Sequence, residues 1–272
     1  MKEKLRRLFE YRELLFNLTR KEVKVKYKNS FLGFIWSLVT PLMMLVVYYV
    51  AFGIIFKMQR ADMQYYAFYL MAGILPWNFM AIGLMMGVGS LVGNANLMKK
   101  VYFPRETLTL SYIGSAAFHF LLQEMVLIIF MLIFQVPMTW WIFAFPLVLL
   151  LQMTFVAGLS LLLATLNVFY RDVMHFTEIL LMAWFWMTPI IYPISFISDN
   201  LPAWAAKLYM LNPMTHIILL WQRIVYNSPV NGPAAYYWSP WGLLGTVVFS
   251  IALLVIGYNT FHRLEGRFVE FI

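Results

Sequence analysis

The stretch NLMKKVYFPRETL, from Asn96 to Leu108, sets Lys99, Lys100, Arg105 and Glu106 around a proline, between two long apolar runs. Charges placed there can contact a protein partner outside a bilayer, or simply hold the chain's orientation in one. A second polar group lies inside the next apolar run. Ser111, Ser115, His119 and Gln123 recur every four residues, so a helix would carry them as one slowly drifting stripe, with Glu124 about 100° away from it. Ionisable groups in such a run are candidates for a proton relay or a substrate contact, and hydrogen bonding between helices is the plainer role open to them.

Other chemistries lack their residues. There is no cysteine, which excludes disulfides, thiolate metal sites and cysteine nucleophiles. No G-x-x-x-x-G-K-[ST] phosphate loop and no G-x-S-x-G elbow occurs, so the chain does not hydrolyse ATP alone. His119, His175, His216 and His262 are too scattered along the chain to suggest a metal site, and no metal is expected.

These residues must be positioned by membrane-spanning elements. Of the 272 residues 62% are hydrophobic and 12% are charged, where soluble domains carry about 25% charged residues. The mean hydropathy is +0.75. Ten tryptophans fit the headgroup layer, where an indole can keep one edge wet. The net charge of +8 lies mostly beside apolar runs, so anionic lipid and topology explain it without nucleic acid.

Six segments have the roughly 20 apolar residues that a span requires: about 34–56, 66–92, 107–134, 140–169, 176–192 and 241–261. With the N-terminus cytoplasmic, sixteen of the 20 Lys and Arg fall inside and four outside, which fixes the orientation with both termini cytoplasmic. The basic first thirty residues are too long for a signal peptide n-region and lack a cleavage site, so they are read as mature protein. Leu8, Tyr11, Leu15 and Leu18 predict an amphipathic surface helix there. Thr19 and Glu22 match a capping box, which predicts the start of a second short helix. Gly83-x-x-x-Gly87 and Gly89-x-x-x-Gly93 fit close helix packing.

VKYKNSFLGFIWSLVTPL (25–42), AGILPWNF (72–79), NANLMKKVYFPRE (94–106), LNVFYRDV (166–173), TPIIYP (188–193) and LNPMT (211–215) resemble the ABC-transporter permeases that export bacterial cell-surface polysaccharides: O-antigen, capsule and teichoic acid. The resemblance runs along nearly the whole chain. It implies an all-α integral membrane half-transporter of the type-2 ABC exporter class. An interface and entrance region would occupy 1–33 and a six-span domain 34–272. Two copies would pair with two copies of a separate ATPase, which carries the ATP and magnesium and leaves this chain without a cofactor. The substrate would be a polymer on a polyprenyl diphosphate lipid, moved out across the bacterial inner membrane.

Residue roles follow from the same resemblance. A coupling helix at about 94–105 would dock on the ATPase through Asn96, Leu97, Lys99, Lys100, Tyr102, Phe103 and Arg105. Arg20, Lys24, Lys26 and Lys28 would attract the diphosphate headgroup as they attract anionic lipid. Leu32 and Gly33 would form the entrance turn, and Tyr48, Tyr49, Trp184 and Tyr192 would line the channel, where sugar rings can stack. Short re-entrant helices within 194–240 would close the outer mouth. Trp204, Tyr209, Trp221 and Tyr226 would form the gate, and Asn212-Pro213 would separate the two helices. Two alternatives stay open: an ABC exporter of a small amphipathic molecule such as a drug, antibiotic or haem, and an integral-membrane glycosyl- or acyltransferase using His119, Glu124 or Glu178.

Overall fold

A computed structural model describes residues 11–28, 35–57, 65–101, 103–138, 140–225 and 240–271, and every regular element among them is helical. α1 (Arg12–Tyr27) precedes α2 (Trp36–Tyr48), which continues as a π-helix over Tyr49–Ile55. α3 (Tyr66–Gly93), the short α4 (Ala95–Lys100) and α5 (Glu106–Ile133) follow. A 3-10 turn at Trp140–Ala144 opens α6 (Phe145–Phe169), and α7 (Asp172–Trp186) comes next. α8 (Ile194–Asn200), α9 (Ala203–Tyr209) and α10 (Pro213–Val225) are short. α11 (Pro240–Leu264) leads through a turn at Glu265–Arg267 into α12 (Phe268–Phe271).

Five stretches are long and apolar enough to cross a membrane: Leu38–Ile55, Tyr66–Gly93, Glu106–Ile133, Trp140–Phe169 and Pro240–Phe271. The expected span at 176–192 is shorter than predicted. α7 has 15 residues, about 22 Å of helix against roughly 30 Å of hydrocarbon. It ends at Trp186, just ahead of Thr188-Pro189, where the proline ring crowds the helical conformation of the residue before it.

α3 is the hub, with α5, α6, α7 and α10 packed on it. Small residues let these helices meet. A Cβ at Gly87 would stand 2.9 Å from Ser160 of α6, and Gly83 faces Val156 and Ala116. The second predicted pair is not such a contact, because Gly89 meets only the end of Met174 and Gly93 has nothing near it. The closest crossing joins α6 to α11, where a Cβ at Gly158 would lie 2.5 Å from the Leu254 nitrogen. A second, smaller core gathers at the α4 end of the bundle, around Leu91, Met98, Phe103, Leu161, Phe261 and Phe268.

α1 runs along α5, with Leu14 and Leu18 against the smaller core and the Thr19 side chain over Gly114. The predicted restart at Thr19 does not occur. Helix is continuous through Tyr27, and the Thr19 hydroxyl donates 2.8 Å back to the Leu15 carbonyl. The preceding turn already supplies acceptors for the following backbone N–H groups, so nothing is left to cap. Leu8 of the predicted amphipathic face lies outside the described residues.

Candidate functional site

The opening cluster divides into an outward and an inward half. In α4, Asn96, Lys99 and Lys100 are exposed. Leu97 and Met98 pack into the smaller core. Phe103 and Glu106 do not face outward. Phe103 is buried in that core at 8% exposure, because an apolar ring beside Met98 and Leu108 gains more from packing than from water. Arg105 donates to the Glu265 carbonyl of the chain's own C-terminal segment. Glu106 is 3% exposed, with His262 Nε2 3.5 Å from its carboxylate, and does not face a partner. Tyr102 lies outside the described residues. Pro104 accepts from the Thr107 backbone (3.1 Å) and hydroxyl (2.6 Å), which fixes the start of α5.

Glu106, His262 and Glu265 bring their polar atoms within 4.8 Å of one another. His262 sets Nε2 toward Glu106 at 3.5 Å and Nδ1 toward Glu265 at 3.1 Å, so the imidazole lies between the two carboxylates. The headgroup candidates Arg20, Lys24 and Lys28 are exposed along α1. The Lys26 side chain, Leu32 and Gly33 lie outside the described residues.

At the other end, the chain leaves helical geometry from Met187 to Pro193 while packed against apolar helices. Backbone carbonyls there have no intrahelical donors, and side chains supply them. Asn212 donates to the Met187 carbonyl at 3.0 Å and Gln222 to Pro189 at 2.8 Å. Tyr66 donates to Ile191 at 2.8 Å and Tyr69 to Tyr192 at 2.9 Å. The Tyr192 hydroxyl reaches the Trp186 carbonyl at 2.6 Å and meets the Tyr209 hydroxyl at 2.6 Å. Gly73 has no side chain because Ile190 is there: a Cβ would stand 2.8 Å from its carbonyl oxygen. Sequence reasoning missed Tyr66, Tyr69, Gly73 and Gln222, since each acts through a contact distant along the chain.

Asn212-Pro213 lies at the junction of α9 and α10. The Asn212 Oδ1 caps α10 by accepting from the Met214 N–H at 3.0 Å, with Pro213 at the first helical position. The same oxygen accepts from Trp184 Nε1 at 2.9 Å. Trp184 is half-buried, edge-on to Trp77 and to the buried Phe155. Trp186, at 55%, and Phe176, at 63%, are exposed on that helix. Tyr48 stacks on Phe185 and Tyr49 tilts against Tyr66.

The gate residues also divide. Trp204 is 68% exposed and Tyr209 half-buried. Trp221 is not at a surface at all. It is fully buried, packed edge-on against Phe120 and Phe145, and donates 2.7 Å to Gln152 Oε1, whose amide in turn donates to the Pro76 carbonyl. A gate built on Trp221 is therefore set aside. Tyr226 lies outside the described residues.

The polar stripe of α5 faces inward at Ser111, Ser115 and His119. Ser111 bonds back to Leu108 of its own helix. Gln123 edges an apolar cavity of about 340 Å³ between α2, α3 and α5. Glu124 is 1% exposed, and neither carboxylate oxygen has a hydrogen-bond partner among the described residues.

The family model described as ABC-2 type transporter matches residues 13–226. An O-antigen export system permease protein RfbA of Klebsiella pneumoniae is 31% identical over 274 residues, covering 100% of this chain and 98% of the relative. A second K. pneumoniae protein of that name is 31% identical over 273 residues, with the same coverage. A Myxococcus xanthus protein of that name is 31% identical over 269 residues, covering 98% of each.

Proposed function

The chain belongs to the ABC-2 type transporter family as a multi-pass membrane permease, a transport subunit rather than an enzyme, and from that premise we propose that it forms the membrane path of an ATP-driven polysaccharide exporter. Two copies assemble with two copies of an ABC ATPase, which binds ATP and magnesium. The cargo is a polymer on a polyprenyl diphosphate, carried from the cytoplasmic to the outer face of the bacterial inner membrane. The observation that carries this reading is end-to-end similarity to proteins named as O-antigen export permeases.

Geometry supports the reading at three places. Exposed lysines on α4, held on a packed base, suit contact with the ATPase. The cationic side of α1, with Arg20, Lys24 and Lys28, suits a diphosphate headgroup at the cytoplasmic surface. α2 and α7 keep apolar and aromatic faces uncovered within one chain, including Met43, Val47, Phe176 and Trp186. A second copy and a tunnel for a long polymer both need such a face. The fifth of the six spans is completed by α7 together with the segment 187–193, and α8 to α10 form the outer closure with Trp204 and Tyr209. Both chain ends are cytoplasmic.

Depletion in the native host tests the reading. A lipid-linked polymer should accumulate at the cytoplasmic face while surface polymer falls. Unchanged surface polymer, with retention of a small amphipathic compound instead, would replace this reading with the small-molecule exporter.

A further inference from the structure

We propose that Arg105, Glu106, His262, Glu265 and Phe268 clamp α4 to the end of α11, so that displacement of α4 by the ATPase reaches α11 together with α5. This rests on reading α4 as the ATPase contact, and it assigns the C-terminal segment a positioning role in coupling.

α4 has six residues, and a helix of that length is marginal by itself, since about 12 residues are needed even for strong helix formers. Its fixed position comes from below. Met98 and Phe103 enter the smaller core, whose opposite wall is Phe261 and Phe268, each fully buried. Phe268 belongs to α12 and packs edge-on to Phe261 at 5.2 Å and to Phe169 at 6.1 Å. Phe271 closes on Phe169 at 4.9 Å. The last helix thus reaches back beneath α4 and across the end of α6, and α12 touches both.

The polar contacts make the same connection. Arg105, between α4 and α5, donates to the Glu265 carbonyl. Glu106 opens α5 and faces His262 of α11, which faces Glu265 on its other side. The Tyr258 ring lies 4.3 Å from the imidazole, edge-on. Arg105, Glu106, His262 and Glu265, from segments more than 150 residues apart, therefore come together at one place. Close-packed groups move together because the interior resists compression. α11 is in turn pressed against α6 at Gly158 and Gly257 with no side chain between the backbones. A push on α4 then shifts α5, α11 and α6 as one body, whereas Lys99 and Lys100 only touch the partner.

The test uses the complex with its ATPase reconstituted in vesicles. The chain has no native cysteine, so a disulfide can be placed between α4 and α12 without other changes. If the two move together, oxidation leaves export within about twofold of the reduced form, whereas export that stops on oxidation and returns on reduction overturns the clamp. Glu106→Gln, His262→Gln and their combination supply the second arm. The clamp predicts retained ATPase association and hydrolysis, export lowered by about fivefold or more, and a double variant no worse than the worse single one. Unchanged export, or hydrolysis falling in proportion to export, overturns it. Docking is read separately from crosslinking of Lys99→Cys to the ATPase, which tells a failure of the docking reading from a failure of the clamp.

Discussion

Trp221 shows how a residue's type can point one way and its surroundings another. An indole in a segment rich in Asn, His, Gln and Arg reads as part of an aqueous mouth, yet this ring is fully buried and donates to Gln152. The neighbouring polar groups are spent internally. His216 Nε2 pairs with the Met210 carbonyl at 2.8 Å, Gln222 with Pro189, and the Arg223 guanidinium covers Trp141 at 4.1 Å. A signal was present: Met214, Ile217, Ile218, Trp221, Ile224 and Val225 fall on one helical face. Trp221→Ala should cost about 3–5 kcal/mol as a core truncation, seen as a lower melting temperature, with no ion leak while the protein stays folded. A leak at unchanged melting temperature would restore Trp221 to the gate. Glu124 predicts the opposite response. Its oxygens have no hydrogen-bond partner among the described residues, so Glu124→Gln should leave the melting temperature unchanged or raise it; a fall of several degrees would show that the carboxylate is paired.

At the scale of elements, the long apolar helices were legible because each span repeats one message over some twenty residues. The break after Trp186 was legible only as a weak apolar stretch with two prolines. What holds it could not be read, because the donors Tyr66, Tyr69, Asn212 and Gln222 come from α3, from the α9–α10 junction and from the last turn of α10. Gln222→Leu leaves the Pro189 carbonyl buried without its donor and should cost about 1–3 kcal/mol. Tyr66→Phe should act alike at Ile191, and thermal unfolding in detergent checks both. Gly73→Ala should be worse than either, since its new methyl group meets the Ile190 backbone rather than a side chain that can turn away. The capping-box motif at Thr19 failed for a related reason. The motif signals a helix start only where the residues before it are not already helical, and here α1 begins at Arg12.

For the whole molecule, charge and hydropathy gave the membrane class and the resemblance gave the partner class, but neither could say which half of the charged loop faces inward. Arg105 and Glu106 turn toward the C-terminal segment because their partners His262 and Glu265 lie over 150 residues away, a pairing that no local pattern encodes. The uncovered faces of α2 and α7 set the expectation for assembly. Single cysteines at Val47 or Ile179, both exposed here, should give symmetric crosslinks between copies in membranes, and a chain that remains uncrosslinked at both sites would count against the pairing. The central claim is that this permease moves a lipid-linked polysaccharide at the expense of ATP. Its most direct measurement is translocation in vesicles holding the chain and its ATPase, with polyprenyl-diphosphate-linked polymer in one leaflet and a polymer-specific hydrolase on the opposite side. The account predicts that the hydrolase gains access only with ATP and magnesium, and not with a hydrolysis-deficient ATPase. Access that is independent of ATP, or ATP hydrolysis that never exposes the polymer, would contradict it.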